Sequence, residues 1–215
     1  MDRYWPYLTN KRFIISTAIG LVLLAAGTII TYFAIVYATE RASGPVTDLI
    51  LDNIPVFNMD GSFIWGPVIF WVIIGLYALL IRPQSVPFSL KSIALFLLIR
   101  AAFITLTHIG PSPDQIQLET TDSLFNVFMT GNDLFFSGHT GLPFLIALVF
   151  WHDPWVRWFC LASSVFFGAV VLMSHLHYSI DVFAAFFITY AIFHISEWLF
   201  KEDRRIFKEG IQATS

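Results

Sequence analysis

Six apolar runs, broken by polar segments, govern what this 215-residue chain can fold into. An α-helix rises about 1.5 Å per residue, so about 18 or more apolar residues cross the roughly 30 Å hydrocarbon core of a bilayer. The runs cover residues 13–38, 63–81, 90–108, 140–151, 155–174 and 180–200. They predict an all-α polytopic membrane protein with six transmembrane helices, folded as one integral membrane domain over residues 1–215. The first run follows Lys11 and Arg12 and exceeds the roughly 7–15-residue core of a secretory signal, so it reads as an uncleaved span. The composition agrees: 57% of residues are hydrophobic and 13% charged, against roughly a quarter charged in soluble domains. With 23 Phe, 7 Trp and 7 Tyr, disorder is excluded. A net charge of -3 excludes a nucleic-acid binder that works through a basic surface. The single cysteine, Cys160, excludes an internal disulfide and a cysteine-based metal site.

Six spans place both termini on one side, and the bias of Lys and Arg selects the cytoplasm. Ten of the 12 cations fall on that side: Arg3, Lys11, Arg12, Arg82, Lys91, Arg157 and the tail residues Lys201, Arg204, Arg205 and Lys208. Arg41 alone is expected outside, and Arg100 lies within the third run. Glu40, Asp48, Asp52, Asp60, Asp114, Glu119, Asp122 and Asp133 fall in the outer loops, at about 40–62 and 109–138. Four of the six histidines, His108, His139, His175 and His177, lie at outer helix ends in this topology, and Asp181 opens the sixth helix beside them. Long loops over polar helix ends often cover a site.

Two segments there carry chemistry. Ser137, Gly138 and His139 lead into the fourth helix, where free backbone N–H groups and the positive end of the dipole attract an anion. Pro143 is expected within the tolerant first turn. The helix itself, at about 18 Å, is short for a span, which sets His139 near headgroup depth. The second segment runs from Ser174 to Asp181; His177 and Asp181 are four apart and share a face if helical. A carboxylate on one imidazole nitrogen fixes the tautomer and leaves the other nitrogen able to attack. The same pair would also serve simply to anchor a helix end.

Together, Ser137-Gly138-His139-Thr140 and His177-Tyr178-Ser179-Ile180-Asp181 resemble the membrane-bound type 2 phosphatidic acid phosphatase superfamily. The closer resemblance is to its sphingomyelin synthase branch. That branch has an acid six residues before the histidine of its Ser-Gly-His-Thr, as Asp133 is here, and a His-x-His-Tyr-Thr-x-Asp-Val stretch, matched from His175 to Val182 with Ser179 in place of Thr. More loosely, Arg100, Leu106-Thr107 and Pro111-Ser112-Pro113 resemble its upstream motif. The resemblance spans about residues 100–195. Phosphatase members carry a Lys seven residues before an Arg-Pro, and a Ser-Arg pair six and seven residues before the second histidine. Here those places hold Gly75 before Arg82-Pro83, and Val170 and Val171. The synthase branch lacks them too.

The resemblance implies a metal-independent, cofactor-free lipid phosphotransferase acting at the outer face. His177 would be the nucleophile, forming a phosphohistidine-type intermediate, with Asp181 raising its basicity and His139 as general acid. Arg100, Ser137 and Gly138 would hold the phosphate, with Asp133 and His175 also at the substrate. The partners would be a phospholipid donor and either a lipid alcohol or water as acceptor, within the bilayer. Water as acceptor would make the enzyme a lipid phosphatase; a scaffold with a dead site is the non-catalytic alternative. Arg100 is a phosphate ligand or a structural partner of an acid such as Asp133. Asp133 holds a cationic headgroup or orients His139. Zinc on His139, His175, His177 and Asp181 is disfavoured because alternate histidines on a helix point apart. His108 is expected at a loop edge, His152 and His194 as structural groups, and Tyr4, Trp5, Trp65, Trp151, Trp155, Trp158 and Trp198 as an interfacial belt.

Overall fold

The computed structural model describes residues 5–116 and 134–211, and these form helices without a strand. In chain order they are α1 (Trp5–Thr9), α2 (Lys11–Glu40), α3 (Asp60–Leu80), α4 (Val86–Leu106), α5 (Gly138–Val149), α6 (Pro154–Met173), α7 (Ser179–Leu199) and α8 (Lys201–Glu209). Five of them, α2, α3, α4 with its leading turn, α6 and α7, are long and apolar enough to cross a membrane. The fourth expected span, residues 140–151, is instead α5, an apolar helix of 12 residues, about 18 Å long and too short to count with these five. Asp133 and the expected outer acids Glu119 and Asp122 lie outside the described residues.

Local chemistry sets the helix starts. Asn10 caps α2 by accepting the Phe13 N–H at 3.0 Å, and prolines open α4 and α6, where a missing N–H costs nothing. Along α2, Gly20 and Gly27 face α4 so closely that a Cβ would meet Leu90 Cβ at 3.0 Å and the Ala94 carbonyl at 3.4 Å. Small residues of this kind let two apolar helices gain dispersion contacts that lipid cannot supply.

The short helix α5 is the hub of the bundle. Leu145, Ile146, Ala147, Leu148 and Val149 are all buried, packed among Phe88 and Phe96 of α4, Cys160 and Phe167 of α6, and Ala185 and Ile192 of α7. Protein rather than lipid surrounds it, so it need not reach across a bilayer on its own. Gly141 makes this closeness possible, since a Cβ there would lie 2.7 Å from the Phe96 ring and 2.8 Å from Thr189 Oγ1. Gly141→Ala should therefore lower stability by about 1–3 kcal/mol, read as a fall in the thermal midpoint in detergent.

The polar tail folds into α8 and returns Arg204 to the bundle, 7% exposed. Arg204 Nη1 donates to the Val149 carbonyl at 2.9 Å and Nε to Glu197 at 3.0 Å. Its guanidinium also lies 5.0–5.4 Å from the ring centres of Phe88, Phe193 and Phe207. The C-terminal end of α5 thus receives a donor for one of its orphan carbonyls. Burial pushes Arg204 below the ordinary arginine range, and Glu197 offsets part of that. Arg204→Met should cost about 1–3 kcal/mol, because it leaves the buried Val149 carbonyl without its donor, while Glu197 still has His194 and Lys208 beside it; thermal unfolding in detergent checks it. His194 sits beside Glu197 at 3.4 Å, and His152 is exposed. Trp65, Trp151, Trp155, Trp158 and Trp198 are all exposed, as an interfacial belt requires.

Candidate active site

The residues that position the histidines begin in the two loops expected outside. Ser43 N–H donates to the His108 carbonyl at 2.7 Å, and Gly110 N–H donates to the Gly44 carbonyl at 3.2 Å. Only glycine fits at 110, since a Cβ there would sit 2.0 Å from the Ser43 carbonyl oxygen. Tyr178 closes this clasp from below: its hydroxyl donates to the Gly110 carbonyl at 2.9 Å and accepts the Val46 N–H at 3.2 Å. Burial raises the Tyr178 phenol above its ordinary range, although the Val46 N–H opposes the shift, so it remains a donor at neutral pH. His108 does lie at a loop edge, with its ring beside Tyr37.

Asp48, which the sequence marked only as an outer acid, is the second fastener. Its Oδ1 accepts from Ile50 N–H at 2.8 Å and Leu51 N–H at 3.1 Å, and its Oδ2 accepts from Ser179 N–H, at the start of α7, at 2.7 Å. Burial alone would raise this carboxyl, but the N–H groups of Leu51, Ser179 and Ile50 together hold it below the usual range. A carboxyl depressed in the fold stabilises at neutral pH, and that contribution is lost as pH falls through its folded pKa. Asp48→Ala should cost about 1–2 kcal/mol, in the range of a lost helix cap. The difference in thermal midpoint between variant and parent should shrink as the buffer is taken into the acid range.

The second motif is a turn, not a helix. Ser174 to His177 link α6 to α7, and α7 starts at Ser179. His177 and Asp181 nevertheless meet, because Asp181 occupies the third position of α7 and reaches back over the helix start. Its Oδ2 accepts the Tyr178 N–H at 3.1 Å and lies 3.1 Å from His177 Nδ1. A carboxylate oxygen only accepts, so the shared proton sits on Nδ1 and the imidazole lone pair on Nε2. Both side chains are buried, His177 at 3% and Asp181 at 0% exposure. The expected pairing is present, but N-terminal helix capping produces it rather than an i,i+4 helical face.

The first motif approaches from α5. Ser137 is the N-cap, its Oγ accepting the Thr140 N–H at 3.4 Å. Since α5 begins at Gly138, Pro143 is its sixth residue rather than part of the first turn. Its ring removes the N–H that would otherwise reach the His139 carbonyl. Ser137 N–H donates to the Asp181 carbonyl at 3.0 Å, which ties the two motifs directly together. Phe63 of α3 bridges them a second time. It stacks on His139 with rings 4.2 Å apart and 25° from parallel, and packs with Leu176 and Val182, which flank His177 and Asp181.

Arg100 arrives from α4. It is 4% exposed, and its Nε donates to the Phe136 carbonyl at 2.9 Å. A Cβ on Gly138 would lie 3.5 Å from that Nε, so the guanidinium borders the start of α5. Arg100, Gly138 and His139 share the wall of an otherwise largely apolar cavity of about 230 Å³, with Phe70, Phe96 and Leu142 among the rest.

His175 is placed differently from His177. It takes a left-handed backbone conformation (φ 53°), is 4% exposed, and neither ring nitrogen has a hydrogen-bond partner among the described residues. It lines a separate cavity of about 450 Å³ with Asp52, Asp114 and Tyr178. Both histidines lie in the turn before α7 rather than on a helix. Among the described residues no group of three or more His, Cys, Asp and Glu is arranged to hold a metal ion. Val170 and Val171, where phosphatases carry polar residues, are fully buried beside Phe63 and Leu176.

Residues 130–198 match the family model described as PAP2 superfamily C-terminal. The match takes in both motifs and supports the type 2 phosphatidic acid phosphatase superfamily, without reaching a branch within it. No curated protein matches the chain. Arg100, Phe63 and Asp48 all lie outside the matched segment, so several of the groups that shape this site come from the part of the chain that the family model leaves unmatched.

Proposed function

We propose that this protein is a membrane-embedded lipid phosphotransferase that moves a phospho-headgroup from a glycerophospholipid to a lipid alcohol. The observation that carries this reading is the buried His177–Asp181 pair, joined through the Ser137–Asp181 hydrogen bond to the segment bearing His139. His177 Nε2 attacks phosphorus, an Nε2–P bond forms, and the P–O bond to diacylglycerol breaks. Imidazolium His139 gives its proton to the departing alkoxide. Asp181 keeps the proton on His177 Nδ1 and stabilises the positive charge that develops on the ring. Arg100 and the N–H groups at the start of α5 take the non-bridging oxygens. The acceptor hydroxyl then loses its proton to neutral His139, its oxygen attacks phosphorus, and the Nε2–P bond breaks, which restores both histidines.

Water as the acceptor would give phosphate-ester hydrolysis instead. The largely apolar cavity beside Arg100, Gly138 and His139, walled by Phe70, Phe96, Leu142 and Phe167, favours an acceptor delivered by lipid. With the cations clustered at the termini, the histidines are assigned to the non-cytoplasmic face.

Protein purified in detergent should form a headgroup-bearing lipid alcohol from a glycerophospholipid, with or without chelator. Release of water-soluble phosphate with no transfer product would establish the phosphatase reading, and loss of activity with chelator would establish a metal-dependent one. For orientation, a cysteine at the exposed Leu49 should react with an impermeant thiol reagent in intact cells, whereas one at the exposed Glu209 should react only after permeabilisation. The inverse pattern would put the site in the cytoplasm.

A further inference from the structure

The end of the bundle away from His177 carries a second polar site. His177 precedes α7, whose 21 residues span about 31 Å. At the other end of that helix, a cavity of about 1020 Å³ is lined by Arg12 and Ser16 of α2, Lys91 of α4, Trp198 of α7, and Lys201 and Arg205 of α8. Among the described residues, Glu202 and Asp203 are the only acids on its wall, against four cations.

Both acids are already engaged. Asp203 is buried, with Lys91 Nζ 2.6 Å from its Oδ2 and the Ser16 hydroxyl on its other oxygen. Lys91 also donates to Ser16 Oγ at 2.7 Å. This network fixes α2, α4 and α8 against one another and uses up both the charge of Asp203 and that of Lys91. Glu202 lies 2.6 Å from Arg205 and only at 4.0 Å from Arg12. Lys201 has no ion-pair partner among the described residues. The heads of Arg12 and Arg205 stay largely exposed, and Leu199, Phe200 and Ile206 supply an apolar floor.

Cations near span ends are ordinary in membrane proteins. Here, however, cations from two separate helices turn toward one cavity with unspent positive charge, at the level where the apolar stretches of α2 and α7 end. That is headgroup depth, and a guanidinium beside an ammonium suits a phosphate. We propose that this cavity holds the headgroup of an anionic phospholipid, with Arg12, Lys201 and Arg205 on its phosphate and Trp198 beside its glycerol. The site does not depend on the chemistry at His177.

The test uses the purified full chain in neutral detergent, with phosphatidylglycerol, phosphatidylcholine or inorganic phosphate added. Phosphatidylglycerol should raise the thermal midpoint of the parent protein by several degrees. The rise should fall by at least half in Arg12→Gln/Lys201→Gln and persist in the charge-retaining Arg12→Lys/Lys201→Arg. An equal rise in the Gln variant would overturn the proposal, as would an equal rise with phosphatidylcholine that the Gln variant keeps. A rise with millimolar inorganic phosphate alone, matching that with lipid, would make this a free-anion site and overturn the lipid assignment.

Discussion

His177→Ala should remove headgroup transfer by about four orders of magnitude or more, the scale seen when a nucleophile acting as part of a unit is lost. The carboxylate left at Asp181 is buried behind the imidazole and cannot take over the covalent bond. His139→Ala should be nearly as slow with a natural donor, since a general acid is worth about 10²–10⁴ in rate. The two variants should separate with an activated leaving group such as a nitrophenyl ester, which departs without protonation. His139→Ala should then recover formation of the phosphoryl-enzyme, and His177→Ala should not. Recovery in His177→Ala instead would exchange the two assignments.

Asp181→Asn should lower transfer by about 10²–10⁴, as in other catalytic units whose orienting carboxylate becomes an amide. The geometry makes this substitution informative. The carbonyl oxygen of the new amide can still accept the Tyr178 N–H that Asp181 accepts at 3.1 Å, so the start of α7 keeps its cap. That same oxygen is the one beside His177 Nδ1, so the Nδ1 proton is kept as well, and what is lost is the negative charge that stabilises the imidazolium formed as Nε2 attacks. An unchanged thermal midpoint with lost activity is the expected combination. Activity within about threefold of the parent, a change of under 1 kcal/mol in the barrier, would mean that the pair only anchors the helix, as an interfacial hydrogen bond would.

Much of this was legible in the sequence for simple reasons. Spans of apolar residues mark themselves, and each of the six runs lies within a few residues of a helix, from Lys11–Glu40 to Ser179–Leu199. The pairing of His177 with Asp181 was also legible, but through the wrong local geometry, because four-residue spacing is shared by a helical face and by a residue reaching back across a helix start. What stayed hidden depends on long-range closure. Asp48 meets Ser179 across 131 residues, and no local pattern singles it out from the other loop acids. Phe63 is one of 23 phenylalanines, and only the packing of α3 brings it onto His139. Arg204 reads as one more tail cation until α8 folds back and its guanidinium caps α5. The short length of α5 was visible, but its place as a protein-enclosed hub was not.

The central claim is that phosphorus is carried on His177, and mapping the covalent intermediate tests it most directly. Parent protein should be mixed with a glycerophospholipid labelled at its phosphate, quenched in base, digested and sequenced by mass spectrometry. The account predicts an acid-labile phosphoryl group on the peptide at His177, which disappears when a lipid alcohol is added before the quench and reappears in the transferred product. A label at His139, or transfer to the alcohol in a His177→Ala protein, would contradict it.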